Sequence, residues 1–141
     1  MGRRAVNLLS KRSQGIAAPT VTGGNVAVTA GTLDVQDGGT ITQATSKVTG
    51  VTLNTHSGQI TMDDASLAAA TEVVFTVTNS AVAAQDVIIL NHGSGGTAGA
   101  YTMGIASVSA GSFEIWVGNH TGGGLAESPV LHFVVIKGAA S

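Results

Sequence analysis

Four histidines and one pair of adjacent carboxylates are the residues best suited to chemistry in this sequence, and their spacing argues against its being done. His56, His92, His120 and His132 are far apart, and none sits at the i, i+4 spacing by which a helix presents two imidazoles to zinc. His132 stands among Leu131, Phe133 and Val134, where a hydrogen-bonded structural imidazole is the default. Asp63-Asp64 offers too few oxygens for a hard cation and reads as a solvated turn. The run His92-Gly93-Ser94-Gly95-Gly96 has the glycines of an oxyanion loop, yet the chain has no G-x-S-x-G elbow and no βα alternation. No Gly-Lys-Ser/Thr follows those glycines, so a phosphate loop fails as well, and this run and Thr121-Gly122-Gly123-Gly124 read as surface turns. Asn119-His120-Thr121 fits the glycosylation sequon, a motif common by chance and unused outside secretory routes. The chain has no Cys, which removes thiolate catalysis, disulfides and Cys-containing zinc sites. No acid, base and nucleophile can be grouped, so the expectation is a protein that is not an enzyme and carries no cofactor and no metal.

The elements that position these residues must be built from small, neutral side chains. Of 141 residues 20 are Gly and only 10% are charged, against about 25% in an average domain. Leu, Ile, Val and Phe together make up about a quarter of the chain, above the roughly 20% below which chains stay disordered. A single packed domain is therefore expected. Apolar runs such as Val87 to Leu90 and Phe133 to Ile136 are far short of the roughly 20 residues of a membrane-spanning helix. At the start, Arg3-Arg4 is followed by an apolar stretch that Asn7 breaks and Ser10 ends, too short for a secretory core; the expectation is a protein made and kept without export.

Charge falls in two blocks. Arg3, Arg4, Lys11 and Arg12 give the first 12 residues +4, whereas from residue 13 onward two basic residues face eight acidic ones, a net −6. A basic arm on an acidic body is either a solvated tail or a strap that docks on an acidic partner surface. Four cations without a stacking aromatic make nucleic acid a disfavoured partner. Between Ile16 and Gly39 the chain is rich in Thr, Val, Ala and Gly, and Val26-Ala27-Val28 and Leu33-Asp34-Val35 alternate weakly. Such a segment buries too little to fold alone and is expected to pair with a sheet edge, its own or a neighbour's.

From residue 40 the pattern is one of short strands at intervals of about 10 to 15 residues with Gly, Asn and Ser between them. Ile41–Ala44, Val51–Asn54 and Gln59–Met62 come first. In Glu72–Thr78, Val73, Phe75 and Val77 share one face. Asp86–Leu90 holds a four-residue apolar run, expected to be covered on both faces. Tyr101–Val108 alternates, Ser112–Val117 puts Phe113, Ile115 and Val117 opposite Glu114 and Trp116, and Val130–Lys137 is the last strand. Asp64–Ala70, the one helical candidate, is short enough to be a bend or a single turn. The expectation is an all-β, antiparallel β-sandwich of jelly-roll or Ig-like kind over residues 40–141, with an extended basic arm over 1–39. Trp116 and Tyr101 are possible interface residues, Trp116 because it faces away from the strand's apolar side.

Thr42–Lys47, Gly50–Asn54, Gly58–Met62, Phe75–Ser80, Ala110–Phe113, Asn119 and Phe133–Lys137, taken as an ordered set over about residues 40–137, resemble a β-sandwich module of bacteriophage virion proteins. Related modules occur on head-decorating (cement) proteins and in other virion structural proteins. The resemblance implies a virion component, and the expected one is a capsid cement protein that sits on the outer capsid surface and stabilises the shell, as a homotrimer because a body so poor in charge is expected to bury its flanks against identical subunits. Its partners would be the major capsid protein and its own copies, with no membrane, and Arg3, Arg4, Lys11 and Arg12 would meet acidic patches on the shell. The alternative it leaves is a tail-fibre or head-fibre module binding a host receptor or glycan through the loops Asn91–Ala100 and Asn119–Ala126, with Tyr101 nearby. Residues 1–39 fall outside the resemblance.

Overall fold

In a computed structural model of the protein the described residues are 35 and 38–138. The arm expected over 1–39, with Arg3, Arg4, Lys11 and Arg12, thus lies almost wholly outside the described residues. The body is all-β, with no helix among the described residues. Its strands are β1 (Thr40–Thr42), β2 (Val51–Thr52), β3 (Ser57–Thr61), β4 (Glu72–Thr78), β5 (Val87–Ser94), β6 (Tyr101–Ser109), β7 (Ser112–Asn119) and β8 (Val130–Ile136). They form two four-stranded sheets, ordered β1-β3-β8-β5 and β2-β4-β7-β6.

The period-two pattern decides which side chains are buried. On β4, Phe75 and Val77 point inward while Thr76 and Thr78 are exposed; on β7, Phe113, Ile115 and Val117 are buried. β8 contributes Leu131, Phe133 and Val135 from the other sheet. The two inner faces meet in one core, where the rings of Phe113 and Phe133 lie 5.3 Å apart and tilted by 59°. β6 and β7 are joined by a two-residue turn, Ala110-Gly111, between the paired Ser109 and Ser112. Gly111 has φ of +84°, a conformation that a side chain would strain.

The sheets are mixed, which corrects the expectation of a purely antiparallel arrangement. β1 pairs with β3 and β2 with β4 in parallel, while the other four pairings are antiparallel. The first four strands alternate between the sheets, so each returns to its own sheet only after crossing to the opposite one. A strand that returns by such a crossover runs parallel to its predecessor, whereas a hairpin would reverse it.

A second correction concerns β5. The run Val87–Leu90 is not covered on both faces: Val87 and Ile89 are 58% and 56% exposed, while Ile88 is buried. β5 is an edge strand whose outer face meets no further layer of the described residues. The segment Asp64–Ala70 forms no helix; Leu67 exchanges two 2.9 Å backbone hydrogen bonds with Leu125 in an isolated bridge.

Phe133→Ala should lower unfolding free energy by about 3–5 kcal/mol, because it removes the ring that joins the two sheets. The check is a urea titration, in which the midpoint falls and the slope is retained.

Candidate functional site

The outer face of the first sheet gathers aliphatic side chains that the core does not use. Val87 stands opposite Ile136 in the β5–β8 ladder, and Ile89 stands opposite Val134. Ile136 is 44% exposed and Val134 half-buried. Two neighbouring cross-strand pairs thus make a continuous aliphatic patch facing solvent, a feature that marks interaction surfaces. Further across the sheet, β8 and β3 carry His132 opposite Gln59, and the Gln59 amide donates to His132 Nε2 at 2.6 Å. Beside them an open groove of about 490 Å³ is lined by Gly38, Gly39, Thr40, Ser57, Gly58, Gln59 and His132. Gly58 is small of necessity, since a Cβ there would come within 2.5 Å of Leu53 and 2.8 Å of Phe133. None of the residues of the patch or groove carries a formal charge at neutral pH with His neutral.

The ends of the body are held by buried polar side chains. Lys47 is 3% exposed and its ammonium donates to the backbone carbonyls of Asp63 and Glu127, the latter at 2.5 Å. Burial lowers its pKa, and the charges of Asp63, Asp64 and Glu127 oppose that shift. The Glu127 carboxylate accepts from the Thr97 hydroxyl at 2.7 Å, the Thr97 amide at 3.0 Å and the Tyr101 hydroxyl at 3.0 Å, and these bonds hold it below the usual carboxylate range. Desolvation and the same carboxylate push the Tyr101 hydroxyl up. At the end of β7, Asn119 donates to the carbonyls of Leu67, Ala68 and Gly123 and accepts from Thr121. The amide of His120 donates to the carbonyl of Ala100 at 3.0 Å, which joins the expected loops 91–100 and 119–126 at one end of the body, although residues 91–94 and 119 belong to β5 and β7.

Of the expected site residues the structure describes two, Tyr101 on β6 and Trp116 on the neighbouring β7. Arg3, Arg4, Lys11 and Arg12 lie outside the described residues. Tyr101 is 9% exposed, with its ring edge-on to His92 at 6.3 Å. Trp116 is half-buried on the outer face of the second sheet, opposite Gly104 and Val74. A Cβ at Gly104 would come within 2.5 Å of the indole Nε1, so the glycine makes room for the ring. His132 is exposed rather than packed in the strand interior. His92 and His132 lie on adjacent strands but on opposite faces, since His132 pairs with Asn91. Among the described residues no three His, Asp or Glu side chains converge as metal ligands, and no helix is long and apolar enough to cross a membrane.

Val87, Ile89 and Ile136 were not among the residues expected to function. The signal available was the apolar character of both alternating sets in β5 and β8, which reads equally as burial on two sides. Comparison with known proteins finds no matching family model, no matching curated protein and no matching solved structure.

Next to the patch, the Asp86 carboxylate is 1% exposed and accepts from Ala83 N at 2.7 Å, Gly138 N at 3.0 Å and the Lys137 ammonium at 2.5 Å. These bonds, the Ala83 amide foremost, bring its pKa from 3.8 down to about 2. The folded value lies below the unfolded one, so this contribution to stability is complete above pH about 4 and disappears as pH falls through about 2. Asp86→Asn should lower the urea midpoint at neutral pH and flatten its decline in acid, so that parent and variant converge at the acid end.

Proposed function

We propose that this protein is a non-enzymatic structural component of a bacteriophage virion, a capsid cement protein that binds the outer shell as a homotrimer. The observation that carries this reading is the uncharged outer face of the first sheet, with Val87, Ile89, Val134 and Ile136 in contact across two strands. A face of this composition is suited to being covered by protein, and a soluble monomer rarely exposes one without use. The ordered motifs over residues 40–137 and the two-sheet body support a virion sandwich of the jelly-roll or Ig-like kind. The described body carries Lys47 and Lys137 as its cations, and both are engaged internally, Lys47 with backbone carbonyls and Lys137 with Asp86 and the Ala81 carbonyl. Attraction to an acidic shell therefore falls to Arg3, Arg4, Lys11 and Arg12. A protein that binds only the assembled shell stabilises it by mass action.

Binding of the purified chain to heads that lack it tests the reading. Saturation at a fixed, high copy number in multiples of three is expected, and deletion of residues 2–15 should abolish occupancy while leaving the trimer intact. Little binding, or occupancy at one vertex alone, would refute it.

The junction of the loops 91–100 and 119–126 favours one second reading, a fibre module that contacts a host surface there. Substitution of exposed loop residues such as Ala98 and Ala126 by bulkier side chains would then abolish adsorption to host cells. The cement reading expects shell occupancy to be unaffected by the same changes.

A further inference from the structure

The four sheet edges of the body are unequal. β1 and β2 have only three and two residues, too few to template a partner. β6 has nine, but its register slips at a bulge between Ile105 and Ser107, which breaks the edge in the middle. β5 alone among the described edges is both long and regular: it pairs with β8 without a shift from Val87 to His92, and its bulge comes after that, between His92 and Ser94. Natural sheets protect such an edge by a charge, a proline, a bulge or short length, because its free N–H and C=O groups accept any extended chain. Val87–His92 has none of these protections, since it contains no Asp, Glu, Lys, Arg or Pro.

A matching strand exists in the same sequence. Residues 13–33 contain no charged side chain, a run of 21 positions that includes Val21, Val26, Val28 and Leu33. Its weakly alternating stretch Val26-Ala27-Val28 is of the type that adds to a neutral edge, where neither partner places a charge against the other. The point at which this segment joins the body is visible: the Ser57 hydroxyl donates to the carbonyl of Val35 at 3.1 Å, beside the start of β1. β1 is one edge of the first sheet and β5 is the other, with β3 and β8 between them. The donor segment therefore departs at one side of the sheet and the acceptor edge lies at the opposite side. That arrangement suits a head-to-tail contact, in which each copy supplies its segment to the next and the ring closes. Twenty-one extended residues reach up to about 70 Å, ample for a neighbouring body. Pairing between copies also brings a second body against the Val87, Ile89, Val134 and Ile136 patch.

We infer that β5 is the docking edge for residues 16–33 of a neighbouring copy, which add to the first sheet as a fifth strand and hold the oligomer together. The inference rests on the homotrimeric part of the reading above and not on the identity of the shell. Two full-length variants test it by sedimentation at a concentration where the parent is oligomeric. Val87→Lys with Ile89→Lys places charges on the edge at positions already more than half exposed, so the body keeps its strands. Val26→Pro with Val28→Pro removes two backbone donors from the added strand and leaves the body untouched. Both are expected to shift the chain to monomer with the parent's circular dichroism and melting of the body, while deletion of residues 2–15 keeps the oligomer. Persistence of the oligomer in either double variant overturns the inference, the proline variant being the one that an oligomer held by the aliphatic patch alone would survive. Loss of shell binding by a chain that still assembles through β5 would instead refute the cement reading and leave this inference standing.

Discussion

Scarcity of charge is the constraint on which the rest of the structure depends. With 10% charged residues and 20 glycines, the chain cannot fix its loops by surface ion pairs, and it uses buried amides instead. Gln43 donates to the carbonyls of Lys47 and Thr49 and accepts from the Asp63 amide; Asn79 donates to Thr55 and accepts from Ala81; Asn119 holds four loop residues. Each side chain is 3% exposed or less, and among the described residues no buried side-chain nitrogen or oxygen lacks a partner. A buried amide presents donors and an acceptor in one plane, so it fixes several backbone segments at once without the desolvation that a charge would cost. Lys47 performs the same task with an ammonium group, which is why its burial is tolerated: its donors reach two carbonyls, and three acids lie near.

That economy leaves two unlike outer surfaces. The second sheet turns Thr76, Thr78, Glu72, Glu114 and the half-buried Trp116 to the outside, with the Ser107 hydroxyl donating to Glu114 at 2.8 Å. It is a mainly polar face whose apolar part is Val74, 46% exposed, beside the one large ring, which is seated over Gly104. The first sheet turns out Val87, Ile89, Val134 and Ile136 instead. A sheet face of that composition exposed on an isolated body would be an aggregation risk, and the edge next to it has no charge to prevent pairing. Both features become intelligible together if the same side of the molecule is covered in an assembly.

The strands were legible because period-two burial is written into residue types: Glu72–Thr78 matches its predicted bounds, and the other long strands shift by a few residues at their ends. Two things were not legible. Alternation reports which face a residue takes and not the direction of the neighbouring strand, so the parallel β1–β3 and β2–β4 pairs, made by crossing between sheets, left no mark in the sequence. Nor does a wholly apolar run such as Val87–Leu90 distinguish a strand buried on both sides from an edge strand whose outer face is exposed. The outer-face placement of Trp116 followed from its being two residues from Glu114. Strand alternation does not disclose that the Tyr101 hydroxyl donates to Glu127, a partner far along the chain.

The separation of charge from burial also decides how such a protein would associate. Contacts through the body are made of aliphatic side chains and backbone hydrogen bonds, and both are nearly insensitive to salt. Contacts through the basic residues Arg3, Arg4, Lys11 and Arg12, as proposed, would be ionic, and surface ionic contacts weaken once ionic strength brings the Debye length to about 8 Å. Under the proposed reading, one chain would combine a salt-resistant means of joining its own copies with a salt-sensitive means of joining an acidic partner. Because Lys137 is bound to Asp86 and Lys47 is enclosed, the body's remaining carboxylates repel that same acidic partner at a distance. An approach led by the basic segment is the one that the charge distribution favours, with the neutral face available for whatever lies beside it.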